Sequence, residues 1–178
     1  MNLFIAKNFI FLLNVIYFLF PAYIANMSGC IFGGKTPIDK KKDFIDGYRI
    51  IGDGVTLEGF IYGILFGTLT GIIWGLKDGN ILLSFKIGLL LSLGALIGDA
   101  VGSFIKRRLG LSKGTPAPIL DQLDFFVGAI LMVSLVVSVP MNYIFLGSIL
   151  TLVLHLIFNI MAYFFRCQKC LVLILILS

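Results

Sequence analysis

The sequence predicts an all-α integral membrane protein with about five transmembrane helices, and two observations support this fold class. Of its 178 residues, 59% are hydrophobic and only 13% are charged, and the mean hydropathy is +1.06. Soluble globular chains carry about 25% charged residues, so this chain has too few to cover a water-soluble surface. The apolar residues also fall into separate runs long enough to cross a bilayer. We therefore expect residues 1–178 to form a single transmembrane domain.

Five apolar runs predict the helices, with allowance for glycine and for single polar residues. A helix needs about 17 to 25 apolar residues to span a membrane. The first run follows a weakly charged start that holds only Lys7, and no long polar stretch follows it. We interpret it as a retained helix rather than a cleaved signal peptide. The expected helices cover residues 9–27, 59–76, 81–105, 125–140 and 143–165.

The basic residues predict how these helices are oriented. Eleven of the 14 Lys and Arg residues lie in two long loops, near residues 28–58 and 106–124, and in the C-terminal tail. The other three are Lys7, Lys77 and Lys86, at the opposite ends of the helices. Because basic residues are retained on the cytoplasmic side, we expect both loops and the C-terminus in the cytoplasm and the N-terminus outside. This asymmetry also explains the net charge of +5 without a nucleic-acid partner.

Three aspartates are the strongest candidates for chemistry. Asp121 and Asp124 are three residues apart, which places them on one face near the start of the fourth helix. An acidic residue at a helix N-terminus is also a favourable capping residue, which explains Asp121 well but does not explain Asp99 near the end of the third helix. Charge is expensive near hydrocarbon, and carboxylates suit hard cations such as Mg²⁺. We therefore interpret Asp99, Asp121 and Asp124 as magnesium ligands.

A basic triplet, Lys106-Arg107-Arg108, follows the first of these aspartates. Such a triplet at the cytoplasmic end of a helix is typical of a membrane anchor. The polar residues around it favour a second function, because glycine lets the backbone approach a phosphate and hydroxyl and cationic groups donate to its oxygens. Carboxylates and cations together indicate metal-assisted phosphoryl transfer at a membrane surface. The polar residues concerned are Ser103, Gly110, Lys113 and Gly114.

The segment from Gly29 to Thr36 matches the phosphate-binding pattern G-x-x-x-x-G-K-[ST]. That pattern binds nucleotide phosphates only where a strand precedes it and a helix follows it. Here an apolar helix precedes it and Pro37 follows at once, so we do not interpret it as a nucleotide-binding P-loop. We expect a flexible glycine-rich turn that presents Lys35 to a phosphate or a lipid headgroup.

Two further patterns have structural explanations. Glycines repeat every four residues from Gly59 to Gly71, which indicates close packing between membrane helices. Cys167 and Cys170 form a single C-x2-C without a second pair or a neighbouring histidine. A zinc site needs about four ligands, so we expect none in this tail.

In their order along the chain, these residues resemble the CDP-archaeol synthase family, which is related to the bacterial and eukaryotic CDP-diacylglycerol synthases. The resemblance covers nearly the whole chain. In the second loop it rests on G-D-x-x-G-S-x-x-K-R-R at residues 98–108 and on P-x-L-D-Q-L-D at residues 118–124. In the first loop it rests on residues 33–39 and 46–54, followed by Val55 where the family pattern leads us to expect lysine.

The resemblance implies a CTP-dependent cytidylyltransferase of the cell (plasma) membrane, with its active site facing the cytoplasm. It implies that the phosphate of 2,3-bis-O-geranylgeranylglycerol 1-phosphate attacks the α-phosphorus of CTP, giving CDP-archaeol and pyrophosphate for archaeal membrane phospholipids. Mg²⁺ held by the three aspartates would neutralise the triphosphate. The implied partners are CTP, the isoprenoid ether lipid phosphate and the surrounding membrane lipids. The residues implied to bind phosphates are Ser103, Lys106, Arg107, Arg108, Lys35, Arg49 and Asp53.

Two alternatives stay open at this point. A CDP-alcohol phosphotransferase is also a small helical membrane enzyme with clustered aspartates, but its pattern D-G-x2-A-R-x8-G-x3-D-x3-D does not occur in the sequence. A transporter or channel places ionisable groups near the membrane midplane, in broken helices. Here the acidic cluster is predicted at the cytoplasmic rim. The residues alone also leave the choice between acyl and prenyl lipids open.

Overall fold

A computed structural model of the chain describes residues 3–111 and 117–164. Within these residues the chain forms five α-helices, which confirms the predicted all-α fold and the helix count. Lys113, Gly114 and the tail from Cys167 to Ser178 lie outside the described residues. The helices are α1 (Leu3–Ile31), α2 (Leu57–Asp78), α3 (Ile81–Arg108), α4 (Pro118–Val133) and α5 (Met141–Phe164).

Three of these helices, α1, α2 and α3, are long and apolar enough to cross a membrane. The 28 residues of α3 extend over about 42 Å at 1.5 Å per residue, which exceeds the hydrocarbon thickness of about 30 Å. The 16 residues of α4 reach only about 24 Å. Large apolar side chains are exposed along all three long helices, as expected of surfaces that face lipid.

The ends of α2 and α3 are set by polar capping residues, which apolarity alone does not detect. The Thr56 hydroxyl accepts a hydrogen bond from the N–H of Gly59 at 3.2 Å and begins α2. Asn80 accepts one from the N–H of Leu83 at 3.2 Å and begins α3. Between them, Gly79 ends α2 with a φ of 77°, a left-handed conformation that suits glycine. As a result, α2 extends beyond the expected span at both ends.

The fourth helix begins earlier than the expected span of residues 125–140. Its first residue is Pro118, whose fixed φ is compatible with the first turn of a helix. The Asp121 carboxylate accepts a hydrogen bond from the N–H of Ala117 at 3.3 Å and so caps this end. The first turn is therefore polar, so it is not part of the apolar run from which the helix was predicted.

The fourth helix also ends earlier than expected, at Val133. Residues 134–136 form turns, although they continue the apolar run. The N–H groups of Leu135 and Val136 donate to the carbonyl oxygens three residues before them, which tightens the chain into turns after Val133. Pro140 acts only on the residues next to it, where it prevents the helix from resuming. The expected second loop, residues 106–124, is correspondingly too long at both ends, since α3 extends to Arg108 and α4 begins at Pro118.

The glycines of α2 allow it to pack closely against two other helices. A Cβ on Gly63 would lie 2.8 Å from the carbonyl oxygen of Ala25 in α1, and a Cβ on Gly71 would lie 2.8 Å from the Cα of Gly88 in α3. Any larger residue would separate the helices at these points. This confirms the packing interpretation of the glycine series. Its members are Gly59, Gly63, Gly67 and Gly71.

A second glycine series packs α3 against α4. Gly94 lies against the backbone of Gly128, and Gly98 lies against the carbonyl oxygen of Asp124. One turn later, Gly102 leaves the space that the Asp124 carboxylate occupies. The sequence analysis did not identify this series, although it brings the two helices that carry the predicted aspartates into backbone contact.

Candidate active site

Charged side chains meet where the last turns of α3 pack against the first turns of α4. Asp99 and Lys106 belong to α3, whereas Asp121 and Asp124 belong to α4. Asp99, Asp121 and Lys106 all lie close enough to Asp124 to interact with its charge. Ser103 is buried on the same face of α3, one turn from both Asp99 and Lys106. These five residues are termed the aspartate cluster.

Asp121 forms two interactions that link the helices. Lys106 Nζ lies 2.6 Å from Asp121 Oδ1, and both side chains are 18% exposed, so the ion pair is partly shielded from water. The other oxygen, Oδ2, accepts the capping hydrogen bond from Ala117. Asp121 therefore caps α4, which is the structural role that the sequence suggested for it, and it also joins α4 to α3 through Lys106.

Asp124 has one satisfied and one unsatisfied oxygen. Its Oδ1 accepts a hydrogen bond from the N–H of Phe125 at 2.6 Å. Its Oδ2 is buried and accepts no hydrogen bond from the part of the chain that the structure describes. An unsatisfied buried acceptor costs about 1–3 kcal/mol. A bound cation or hydrogen-bond donor would remove this cost, which makes Oδ2 the strongest indication of a ligand site.

The predicted magnesium ligands do not form a ready-made coordination shell. Among residues 3–111 and 117–164, no three His, Cys, Asp or Glu side chains lie close enough together to hold a metal ion as they stand. The donor set nevertheless fits a hard cation, since three carboxylates, one with an unsatisfied oxygen, face one ammonium group. The cluster thus holds three carboxyl groups against one ammonium group, and a bound divalent cation would favour the ionised form of these carboxyl groups.

Arg49 is the centre of a second charged group, in the first loop. Its guanidinium donates to both Asp39 oxygens, at 2.8 and 3.2 Å, and to Asp53 Oδ1 at 3.0 Å. The Asp39 side chain is 0% exposed. These residues, termed the Arg49 network, form a closed structural group within the loop. Further N–H groups donate to Asp39 from Lys41, Ile51 and Gly52.

The Arg49 network stays charged at neutral pH. Burial alone would raise the pKa of Asp39, but the hydrogen bonds from Arg49 and from the backbone outweigh it and hold that pKa well below its ordinary value of 3.8. The hydrogen bond to Asp39 in turn raises the pKa of Arg49. The Asp39–Arg49 ion pair therefore stays intact at neutral pH.

Arg107 and Arg108 fasten the first loop to the end of α3. Arg108 Nη1 donates to two carbonyl oxygens of the loop at 3.0 Å, and its Nε lies 3.1 Å from Asp46 Oδ2. Arg107 Nε donates to the carbonyl oxygen of Ile51 at 3.2 Å. These contacts use donors that the sequence analysis assigned to phosphate. Within the described residues, Lys106 is the member of the triplet that pairs with the aspartate cluster.

The glycine-rich turn is held by α2 and is not a P-loop. The N–H of Gly34 donates to Thr56 Oγ1 at 3.1 Å, and the Thr36 hydroxyl donates to Glu58 Oε1 at 2.7 Å. Residues 32–56 contain no helix, so the glycine-rich turn lacks the helix that follows the phosphate-binding turn of a P-loop. Lys35 is exposed at this turn.

Three residues of the site region were not identified from the sequence. Gly102 had a detectable signal, because Gly94, Gly98 and Gly102 repeat every four residues, as the glycines of α2 do. The roles of Asp39 and Asp46 had no such signal, since their partners, Arg49 and Arg108, come into contact with them only through the fold of the first loop.

The chain is similar to the members of one known protein family. Residues 8–171 match the family model described as CarS-like CDP-archaeol synthase. The CDP-archaeol synthase of Methanothermobacter thermautotrophicus is 55% identical over 156 residues, covering 88% of this chain and 91% of that protein. The CDP-archaeol synthase of Methanocaldococcus jannaschii is 50% identical over 159 residues, covering 83% of this chain and 90% of that protein.

The fold also has a solved counterpart. A structure described as an intramembrane enzyme for archaeal membrane lipid biosynthesis superposes with a TM-score of 0.78. It is 41% identical and covers 84% of this chain and 94% of its own. The matched residues 8–171 include both the aspartate cluster and the Arg49 network.

Proposed function

Because the chain belongs to the CDP-archaeol synthase family, we propose that it transfers CMP from CTP to the phosphate of 2,3-bis-O-geranylgeranylglycerol 1-phosphate. The products are CDP-archaeol and pyrophosphate. Family membership favours this cytidylyltransferase over the transporter and the CDP-alcohol phosphotransferase. The observation that carries the proposal is the aspartate cluster, in which the buried, unsatisfied Oδ2 of Asp124 lies among charges of both signs.

The reaction is a phosphoryl transfer that needs positioning and charge neutralisation more than acid–base chemistry. An oxygen of the lipid phosphate forms a bond to the α-phosphorus of CTP. The bond from that phosphorus to the oxygen bridging the β-phosphate breaks, and its electron pair leaves with pyrophosphate. A phosphate monoester is already ionised at neutral pH, so no general base is required.

The aspartate cluster supplies the groups that bind the triphosphate. Lys106 exchanges its partner Asp121 for a phosphate oxygen, and the Ser103 hydroxyl donates to another. Arg107 and Arg108 add positive charge from positions fixed by their contacts with the loop. Mg²⁺ would neutralise charge on the triphosphate and on the leaving pyrophosphate. The residues that would hold it are Asp99, Asp121 and Asp124.

The first loop completes the site on the other side of the basic triplet. Lys35 is exposed and free to turn toward a phosphate of the nucleotide or of the lipid. Arg49 and Asp53 remain joined in the Arg49 network and contribute a fixed charge next to Arg108. We expect Lys35 to affect substrate KM and the Arg49 network to affect the position of the loop.

We place both loops in the cytoplasm of an archaeal cell, with residues 1–178 forming one domain in the cell membrane. The excess of basic residues on the loop face supports this orientation. CTP and Mg²⁺ are available on that side. The lipid phosphate lies in the adjacent leaflet, so that its chains enter between helices and only its headgroup reaches the aspartate cluster.

The test is a transfer assay with detergent-purified protein, CTP labelled at the α-phosphorus, Mg²⁺ and the geranylgeranylated glycerol phosphate. We expect label in an organic-soluble product and its loss when EDTA is added. Phosphatidic acid in a parallel reaction measures the preference for ether-linked prenyl chains.

Two results would contradict the proposal. The first is the absence of lipid-linked label with either lipid, from protein that elutes as a single folded species. This result would show that the protein is not a cytidylyltransferase. The second is full activity after exhaustive chelation, which would show that the reaction does not need Mg²⁺ and that the three aspartates do not act as its ligands.

A further inference from the structure

The tip of the first loop is a compact turn with an unusually apolar surface. The N–H of Phe44 donates to the carbonyl oxygen of Tyr48 at 2.8 Å, and the N–H of Gly47 donates back to Phe44 at 3.0 Å. Asp46 accepts a hydrogen bond from the N–H of Tyr48 and pairs with Arg108, so the turn is fixed from both sides. Despite this, Phe44 and Tyr48 are exposed and Ile45 is 96% exposed. Residues 44–48 are termed the loop tip.

The loop tip lies beside α3 rather than beyond its end. The Phe44 ring packs edge-to-face on the Phe104 ring, with centroids 5.6 Å apart. The Arg108 guanidinium covers both rings, at 3.8 Å from the centroid of Phe104 and 4.6 Å from that of Phe44. Phe104 is one turn before the last residue of α3, so the contact holds Phe44 at the depth of that turn.

We place this depth at the boundary between hydrocarbon and headgroups, because the basic residues 106–108 in the last turn of α3 are typical of the headgroup region. α3 is longer than the hydrocarbon core, so its last turns extend into the interfacial region. On the surface of α3 next to Phe104, Val101 and Ile105 are exposed, at 50% and 40%, as lipid-facing side chains are. The loop tip is thus next to the lipid-exposed side of the helix.

Positive charge accompanies the apolar tip. Lys40, Lys41 and Lys42 precede it, separated from it by Asp43, and all three are exposed. Lys40 and Lys41 adopt φ values of 49° and 62°, so the chain turns sharply there and holds the lysines at the base of the tip. An apolar surface bordered by lysines is the pattern of segments that lie in a membrane interface, with cationic groups on anionic headgroups.

From these contacts we infer that the loop tip inserts into the leaflet on the loop face and acts as an interfacial membrane anchor. Ile45 and Tyr48 enter the boundary of the acyl chains, and Lys40–Lys42 bind anionic headgroups. The partner is the bilayer around the helices. Since Arg49 follows directly, this anchor also holds the Arg49 network at headgroup height. The inference does not depend on the proposed reaction.

The test measures the depth of the loop tip with a fluorescent label. Ile45→Cys is made in protein whose Cys30, Cys167 and Cys170 are replaced by serine, labelled with nitrobenzoxadiazole and placed singly in nanodiscs. The matched control is Gly54→Cys in the same loop, where a Cβ meets nothing within 4 Å and φ is not positive. Because an interfacial segment lies about 5–10 Å deep, spin-labelled lipid should quench the label at 45 about threefold more than at 54.

A second arm tests the lysines. Lys40→Asn, Lys41→Asn and Lys42→Gln together should lower quenching at 45 in anionic nanodiscs to the level seen in zwitterionic ones. Asparagine tolerates the left-handed backbone at the first two positions. Equal quenching at 45 and 54 would overturn the inference. So would a label at 45 that is shielded from water but not quenched by lipid, since the tip would then pack against protein.

Discussion

The aspartate cluster and the Arg49 network have similar numbers of charged groups but differ in how those groups are satisfied. Asp39 accepts hydrogen bonds from Arg49 and from three backbone N–H groups, and it keeps no oxygen for an outside partner. Asp124 has an Oδ2 that no described residue satisfies, in a cluster where three carboxylates face one lysine. A satisfied network supports structure, whereas an unsatisfied buried acceptor would gain free energy from a bound cation or hydrogen-bond donor. Charge density alone does not distinguish the two.

The largest effect that this comparison predicts is on turnover in Asp124→Asn. Asparagine keeps an acceptor for the N–H of Phe125 and nearly the same volume, so the fold should be retained. Loss of the charge should lower kcat by roughly 10³-fold, as when a principal electrostatic group is removed. The transfer assay measures kcat, and thermal unfolding checks the fold. Asp43→Asn, at an exposed position of the first loop, is the matched control and should retain parental activity. Near-normal kcat in Asp124→Asn would show that the aspartate cluster, like the Arg49 network, has a structural role only.

Next in size is the effect of Lys106→Met, which removes the counter-ion of the aspartate cluster. We expect kcat/KM for CTP to fall about 10- to 100-fold, mainly through KM, because a charge-assisted contact to the triphosphate is lost. Lys86→Met, at the opposite end of α3, is the control for removing a lysine from this helix. An unchanged KM for CTP would mean that Lys106 only pairs with Asp121 and does not reach the nucleotide.

In the Arg49 network the main effect should be on structure. Arg49→Met leaves the buried Asp39 charge without its side-chain partner, which should cost about 2 kcal/mol of local stability. We expect faster trypsin cleavage at Lys40–Lys42 and a smaller change in kcat than in Asp124→Asn. Asp53→Asn removes the exposed partner of Arg49 and should leave the cleavage rate nearly unchanged. Equal cleavage rates in both variants would show that the buried pair does not hold the loop.

The smallest effect is the response of the loop to acid. The folded pKa of Asp39 lies below its ordinary value of 3.8, so the stability that this carboxylate contributes is fully present above about pH 4 and is lost as pH falls below it. The nitrobenzoxadiazole label at Gly54→Cys should therefore keep a constant emission from pH 7 to about 4 and change below that. With Asp39→Asn the acid transition should disappear. A transition centred well above pH 4 would assign the response to another group.

The fold was largely predictable because a helix that lies in lipid needs a continuous run of apolar residues. The expected spans of α1 and α2 are too short at both ends, and that of α4 is displaced because its aspartates make the first turn polar. Asp121 and Asp124 interrupt the apolar run, so the predicted helix begins too late, and the same two residues were predicted to belong to the site. Spacing could place Asp121 and Asp124 on one face, but their approach to Asp99 depends on the glycine contacts between α3 and α4.

The loop contacts were not predictable in the same way. Arg107 and Arg108 look like phosphate ligands in a linear sequence, because their partners Ile51 and Asp46 lie in a distant loop without periodicity. Nothing local distinguishes an arginine that will bind a backbone carbonyl from one that will bind a substrate. The sequence also shows no difference between Asp39, which is buried and paired, and the exposed acidic residues around it.

The glycine contacts between α3 and α4 set the depth of Asp124 relative to the end of α3. Asp124 packs against Gly98 and Gly102, which lie about 9–15 Å before the end of α3 at 1.5 Å per residue. In the proposed reaction, the water-soluble nucleotide would therefore reach below the surface of the membrane, while the lipid would keep its chains in hydrocarbon. The opposite route, lifting the lipid into water, would cost about 0.8 kcal/mol for each CH₂ exposed. A site at this depth would therefore let the reaction take place without moving the lipid chains from the bilayer into water.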